Sequence, residues 1–129
     1  MRILIIGGTR FVGLAMARAA IANGHDVSLF HRSQDVPAGT ESAMHLIGDR
    51  TKDFTALQTG QWDAVIDVCG YRPHEIHALA DVFAGRISKY VFVSTISVYD
   101  AAISPGSDES AKPAPLTHLA AEDPITVPM

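Results

Sequence analysis

Met1-Arg2-Ile3-Leu4-Ile5-Ile6-Gly7-Gly8-Thr9-Arg10-Phe11-Val12-Gly13 is the stretch whose reading decides the fold. Ile3 to Ile6 is an unbroken run of β-branched residues and leucine, too short for a helix and apolar on both faces, which is the pattern of a strand buried on both sides of a parallel sheet. Two glycines follow, then a threonine. An apolar helical pattern (Phe11, Val12, Ala15, Ala19) then runs to a stop at Asn23 and Gly24. A strand, a glycine turn and a helix in that order make a phosphate site, because the turn aims several backbone N–H groups and the positive end of the helix dipole at one spot. Missing side chains at Gly7 and Gly8 let a pyrophosphate approach, and Gly13 lets the helix pack closely on the strand. The alternative is a plain β–α turn in some other doubly wound protein.

Gly7-Gly8-Thr9-Arg10-Phe11-Val12-Gly13 resembles the nucleotide-binding turn of the extended and atypical short-chain dehydrogenase/reductases, the NAD-dependent epimerase/dehydratase family. The family's usual spacing is G-x-x-G-x-x-G, and Arg10 stands where its middle glycine would be. That departure is similar to a branch with a G-G-T-R-F-hydrophobic-G turn, which holds bacterial reductases or epimerases and the chloroplast stem-loop RNA-binding proteins. The resemblance runs from Met1 to about Asp100. It implies an α/β, doubly wound (Rossmann-like) parallel sheet in order 3-2-1-4-5, with a nicotinamide dinucleotide lying across the ends of strands one, two and four and residues Gly7 to Gly13 around its phosphates.

A chain of 129 residues that is 47% hydrophobic suits one domain with one core. Its apolar runs are far shorter than the roughly 20 residues a membrane helix needs, and Ile3 to Ile6 is too short for a signal-peptide core. Cys69 is the single cysteine, so no intramolecular disulfide can form. These features place the chain in the cytoplasm as an expectation. A net charge of −4 argues against a general nucleic-acid binder, although a local basic spot is compatible with it.

Asp26 to Phe30 reads as the second strand, ending at His31-Arg32-Ser33. In NAD-preferring relatives the end of this strand carries an acid for the adenosine ribose hydroxyls, and here His31 and Arg32 stand there instead. A solvated basic turn is one reading. A seat for a 2′-phosphate is the other, and with Arg10 emerging on the same side it makes NADP the first expectation and NAD the second. Residues 34 to 43 read as a loop, and Met44 to Ile47 as a third strand closed by Gly48-Asp49-Arg50. The resemblance makes Asp49 the acid that meets the adenine amino group, with Arg50 beside it among the cofactor residues; a turn aspartate is the alternative. Asp53 to Leu57 reads as a short helix.

Trp62 to Val68 is the fourth strand, and the resemblance lays Val68, Cys69 and Gly70 along the cofactor. Asp67 stands out in this apolar run, since a buried carboxylate needs a partner that the sequence does not name. Pro73 opens a helix to about Ala84 that buries Ile76, Leu79, Ala80 and Phe83. His74 and His77 share one face of it, but with Glu75 pointing elsewhere and no H-E-x-x-H pattern they read as solvated, and no metal is expected.

Lys89 to Val93 is the fifth strand, and Ser94-Thr95-Ile96-Ser97-Val98-Tyr99 resembles the family's strand-end segment S-[ST]-x-x-V-Y-G, with Asp100 in place of the glycine. That resemblance makes Thr95 the catalytic hydroxyl that would bond the substrate oxygen and Ser94 a neighbour of the nicotinamide ribose. A strand ending in a Ser/Thr turn is the alternative. From Ala101 to Met129 no period survives and five prolines gather (Pro105, Pro113, Pro115, Pro124, Pro128), so 1–100 reads as the dinucleotide-binding domain and 101–129 as a Pro-rich tail, poorly ordered beyond about Pro113.

Hydroxyl chemistry in this family requires a tyrosine and, four residues later, a lysine that tunes it. Four residues after Tyr71, Tyr90 and Tyr99 stand Glu75, Ser94 and Ile103, so the Tyr-x-x-x-Lys pair is missing. The chain accordingly reads as the N-terminal part of a larger NAD(P)-dependent oxidoreductase or epimerase/dehydratase acting on a hydroxyl-bearing small molecule, such as a nucleotide sugar, with the fragment itself inactive. Self-association through the apolar edge Tyr90-Val91-Phe92-Val93 is expected. RNA binding of the chloroplast stem-loop type, which the acidic balance opposes, and nucleotide sensing are the alternatives.

Overall fold

The computed structural model describes residues 1–99 and 104–114. Five strands, β1 (Arg2–Ile6), β2 (Asp26–His31), β3 (Met44–Ile47), β4 (Trp62–Asp67) and β5 (Ile87–Phe92), form one parallel sheet in the order β3-β2-β1-β4-β5. Helix α1 (Phe11–Ala22) connects β1 to β2, and α2 (Pro73–Val82) connects β4 to β5. This is the doubly wound arrangement expected from the sequence.

β1 is central and buried on both faces, with Leu4 and Ile5 wholly inaccessible. Leu4 and Ile6 face one layer, where Phe30, Leu57, Trp62, Val65, Leu79 and Phe83 pack. Ile3 and Ile5 face the other, against Val27, Leu29 and Ala17 of α1. The first layer is aromatic: Trp62 meets Phe83 edge to face at 5.8 Å, and its indole N–H donates to Ser28 Oγ at 3.3 Å, so neither polar group is buried unpaired.

The helix expected from Phe11, Val12, Ala15 and Ala19 is α1; these four are exposed on it, and Gly13 and Ala17 are buried, with Met16, Ala20 and Ile21 packed beside them, while two local expectations, on α2 and at 53–57, are corrected. The helix is apolar nearly all round, so its period could not choose a face, and the close approach at Gly13 selects the small-residue side. On α2, Leu79 and Phe83 are buried but Ala80 is exposed, and Glu75 is buried in a polar role. The helix read at 53–57 is a single 3₁₀ turn, Thr55–Leu57, whose first amide donates to Asp53 Oδ1 at 3.1 Å.

After β5 a second 3₁₀ turn (Ile96–Val98) leads to Tyr99, which pairs antiparallel with Pro113, and Ala114 N donates to Val98 O at 2.9 Å. The expected loss of order after Pro113 falls, apart from Ala114, outside the described residues.

Candidate functional site

Strand register puts Ile6 beside both Phe30 and Asp67, and Asp67 beside Phe92. Gly7, His31, Gly48, Val68 and Val93 are therefore the first residues past, or the last residues of, strands ending along one carboxyl edge, which is where open α/β sheets bind ligands.

The glycine turn sits at the middle of that edge. Gly7 has φ +87° and its N–H donates to Phe30 O at 3.0 Å. A Cβ on Gly7 would lie 2.7 Å from Cys69 Sγ, one on Gly8 2.7 Å from Leu29 Cδ2, and one on Gly13 2.6 Å from the Gly7 carbonyl oxygen. All three positions exclude a side chain for reasons of packing. Arg10 is the residue before α1, extended at φ −145° and ψ 158°, and its side chain does not cap the helix. Phe11 follows at φ +44°, the one non-glycine residue in the left-handed region among those described, and it is 92% exposed. Such a conformation costs on the order of 1–3 kcal/mol and is held by the turn around it. With no side-chain cap and no acid in its first turn, the start of α1 presents uncompensated N–H groups and positive dipole, which suits an anion.

At the end of β2, His31 is 6% exposed, so it is no solvated basic turn. Its Nε2 lies 2.8 Å from His45 Nδ1, and His45 Nε2 lies 3.0 Å from the Thr40 carbonyl. A carbonyl can only accept, which assigns the proton of His45 to Nε2, leaves its Nδ1 an acceptor, and assigns the proton of His31 to Nε2. His31 Nδ1 then remains a buried acceptor without a partner. Burial, and next the electrostatic influence of His45, hold His31 below the usual imidazole range, partly opposed by the Ser33 backbone. His31 thus brings no charge to the edge at neutral pH, whereas the neighbouring Arg32 is exposed. Asp35 is turned onto Ser33, whose hydroxyl donates to its Oδ2 at 3.0 Å.

Asp49 closes a turn. Its Oδ1 accepts from the Thr51 hydroxyl at 2.6 Å and the Thr51 N–H at 2.9 Å. Those two bonds, with smaller help from Lys52 and Arg32, hold its carboxyl below the usual range. The turn reading is therefore correct as structure, and the carboxylate stays ionised beside Arg32.

The partner of Asp67, which the sequence did not name, is Arg50. Its Nη1 and Nη2 donate to Asp67 Oδ1 and Oδ2 at 2.6 and 3.0 Å, a two-point pair with Asp67 fully buried and Arg50 10% exposed. Arg50 Nη1 also reaches Cys69 Sγ at 3.3 Å, and Nε lies 3.6 Å from Glu75 Oε2. Tyr90 donates its hydroxyl to Asp67 Oδ2 at 2.7 Å, and the Cys69 N–H donates to Oδ1 at 3.1 Å. Burial opposes the charge on Arg50, but the bonds to Asp67 and Cys69 outweigh it and its pKa is raised; burial and Asp67 push the Tyr90 phenol up, and burial pushes up the Cys69 thiol. Arg50, grouped by the sequence with the cofactor residues, spends its guanidinium inside the protein. The available signal was the lone acid in an apolar strand, and nothing in the sequence spacing pointed from it to a residue seventeen positions earlier.

Val68 and Cys69 touch the glycine turn, and Gly70 sits where a Cβ would strike Ile76, Phe92 and Arg50. Ser94 and Thr95 are exposed beyond β5, and Thr95 Oγ1 accepts from Ser97 N at 3.2 Å, which leaves its proton free to donate. His74 and His77 are exposed, and no group of three or more metal-ligating side chains occurs among the described residues.

No family model matches the chain. A curated relative, the chloroplast stem-loop binding protein of 41 kDa b from Arabidopsis thaliana, is 31% identical over 76% of this chain and 30% of its own length. Among solved structures, the UDP-N-acetylglucosamine 4-epimerase from Bacillus cereus matches with a TM-score of 0.65 and 22% identity, over 89% of this chain and 44% of that one. The UDP-glucose 4-epimerase from Bifidobacterium longum, in complex with NAD+ and UDP, matches with a TM-score of 0.75 and 14% identity, over 88% of this chain and 43% of that one. The chain shares the Rossmann-like fold of the corresponding part of NAD-dependent epimerases, dehydratases and other short-chain dehydrogenase/reductases of known structure. It spans less than half the length of these relatives.

Proposed function

We propose that this chain binds a nicotinamide dinucleotide and is the cofactor-binding portion of an oxidoreductase or epimerase/dehydratase that acts on a hydroxyl-bearing small molecule, a nucleotide sugar in the first instance. The observation that carries it is the uncapped start of α1 over a turn in which three glycines each exclude a Cβ, a fit for a pyrophosphate. The Bifidobacterium neighbour holds NAD+ and UDP, and the other is named for a nucleotide-sugar substrate. When bound, the dinucleotide supplies hydride transfer. The chain's residues would seat the pyrophosphate on the Gly7, Gly8 and Gly13 turn, set Asp49 and Arg32 at the adenosine end, and offer the Thr95 hydroxyl to a substrate oxygen, with Ser94 beside it.

The NADP preference expected from the end of β2 loses part of its basis, since His31 is buried and uncharged and only Arg32 and Arg10 remain to favour a 2′-phosphate. The Bifidobacterium neighbour is named as holding NAD+. NAD(H) is therefore the cofactor we propose first. Lacking the Tyr-x-x-x-Lys pair, these 129 residues would bind without turning over. The cytoplasmic setting and self-association along β5, an edge strand with Val91 and Phe92 partly exposed, belong to the same proposal; no helix among the described residues is long and apolar enough to cross a membrane.

Titrating NADH into the purified chain and following its fluorescence tests the reading. Saturable one-to-one binding, reversed by ADP-ribose, is the expected result, and no uptake at millimolar NADH overturns it. A second reading, stem-loop RNA binding, is favoured by the Arabidopsis relative's name alone. Filter binding across salt concentrations separates the two, since RNA held through phosphates is lost steeply as salt rises.

A further inference from the structure

Two apolar side chains form the floor on which the glycine turn rests. Val68 Cγ2 lies 3.1 Å from the place a Cβ would take on Gly7 and 2.9 Å from that on Gly13, and Cys69 Sγ lies 2.7 Å from that on Gly7. Cys69 Sγ also points at Ile6 O, 3.6 Å away. Any shift of residues 68–71 therefore moves the turn itself.

Val68 N donates to Ile6 O at 3.1 Å, and beyond that backbone bond the segment is held by buried charge. Asp67 Oδ1 accepts from Cys69 N, Glu75 Oε2 accepts from Tyr71 N at 3.1 Å, and Arg50 joins the two carboxylates while also touching Cys69 Sγ. Arg50 comes from the loop after β3, Asp67 from the end of β4, Glu75 from the first turn of α2, and Tyr90, which completes Asp67, from β5. One guanidinium thus ties three elements to the segment beneath the glycine turn, its two Nη atoms bonded to Asp67 and its Nε, 3.6 Å from Glu75 Oε2, buried without a hydrogen bond.

We propose that Arg50, Asp67 and Glu75 are positioning residues for the dinucleotide site: they fix residues 68–71, which fix the glycine turn, and so set the affinity for a pyrophosphate-bearing ligand. In its ligand arm the inference rests on the function proposed above; in its structural arm it stands alone.

The test uses the intact chain and the triple variant Arg50→Met, Asp67→Leu, Tyr90→Phe, in which the Arg50–Asp67 pair is exchanged for apolar groups of similar size, an exchange that folds can tolerate, while Glu75 keeps its bond from Tyr71 N. Circular dichroism confirms that the sheet is kept, and Arg50→Lys, which retains the charge but not the two-point geometry, serves as the milder variant. Backbone hydrogen exchange is expected to quicken at Gly7, Gly8 and 68–71 while β2 and α1 stay protected, and NADH affinity is expected to fall by about tenfold to a hundredfold. Arg50→Lys should fall between. Unchanged exchange at Gly7 and Gly8 in a folded triple variant, or exchange that quickens evenly over the whole sheet, overturns the clamp. So does full NADH affinity in that variant. If the unsubstituted chain takes up no NADH, the function proposed above fails, and the exchange pattern still decides the clamp.

Discussion

Two polar clusters lie along the same carboxyl edge of the sheet and solve burial in opposite ways. On the β4 side, Arg50 and Asp67 form an ion pair, joined at two points and completed by Tyr90, Cys69 and Glu75. On the β2 side, the buried His31 ring, held below the usual imidazole range, meets His45, which in turn reaches the Thr40 carbonyl. A buried pair of opposite charges needs every member at all pH values near neutrality, whereas a buried uncharged imidazole such as His31 needs only that no further proton arrives. The first should break by substitution and the second by acid.

Asp67→Asn is the largest break. It leaves the Arg50 guanidinium buried without its counter-charge, and loss of about 3–5 kcal/mol is expected, enough to unfold a marginal domain. Urea denaturation of the variant beside the parent measures it; a loss under about 1 kcal/mol would show that water reaches Arg50 and that the cluster is not the closed one described.

Gly13→Ala comes next. Its methyl would meet the Gly7 carbonyl oxygen at 2.6 Å and Gly8 Cα at 3.1 Å, backbone atoms that cannot swing aside, with Val68 Cγ2 at 2.9 Å between them. About 1–3 kcal/mol of stability should go, together with any NADH binding, because α1 must lift away from the turn. A variant that keeps its affinity would separate helix packing from the phosphate seat.

Acid sharpens the contrast between the clusters. The folded-state pKa of His31 is depressed below its unfolded value of 6.5 by burial and by His45, so the unfolded chain takes up the proton first. The stability tied to the neutral ring is present above about pH 6.5 and lost as pH falls below it, toward the lower folded value. The groups facing it are His45 from β3 and, from the loop after β2, the Ser33 backbone. Thermal midpoints from pH 7.5 to 5 should fall in the parent and flatten in His31→Gln. A slope that survives this substitution would assign it elsewhere.

What the sequence could say follows from the same contrast. The central strand was legible because four consecutive buried apolar residues can hardly be anything else, and the glycine turn because excluded Cβ positions leave only glycine. Asp67 was legible as a problem, since an acid in an apolar strand demands a partner, but the partner comes through topology: β3 and β4 are separated in the sheet by β2 and β1, and no local spacing records that Arg50 crosses beneath them. His31 was read as a surface cation because nothing in a linear pattern shows that His45 on the next strand will cover it. The buried face of α1 was not legible for a third reason: on a helix apolar nearly all round, the choice of side is made by the nearest approach of backbones at Gly13.

Arg32 gives the smallest expected effect and the finest test of what the β2 cluster leaves behind. With His31 neutral, Arg32 is the exposed cation at the end of that strand, near enough to Asp49 to help depress its carboxyl. An exposed guanidinium gains little from a phosphate in high dielectric, under about 1 kcal/mol, which corresponds to a change of several-fold in affinity. Arg32→Ala should therefore weaken NADP(H) several-fold and leave NAD(H) within about twofold, because the ribose hydroxyls carry no charge for Arg32 to answer. Calorimetric titration of both cofactors into both proteins gives the comparison. Equal loss for the two cofactors would mean that Arg32 serves the shared pyrophosphate or the adenine ring, and the end of β2 would then have no part in telling them apart.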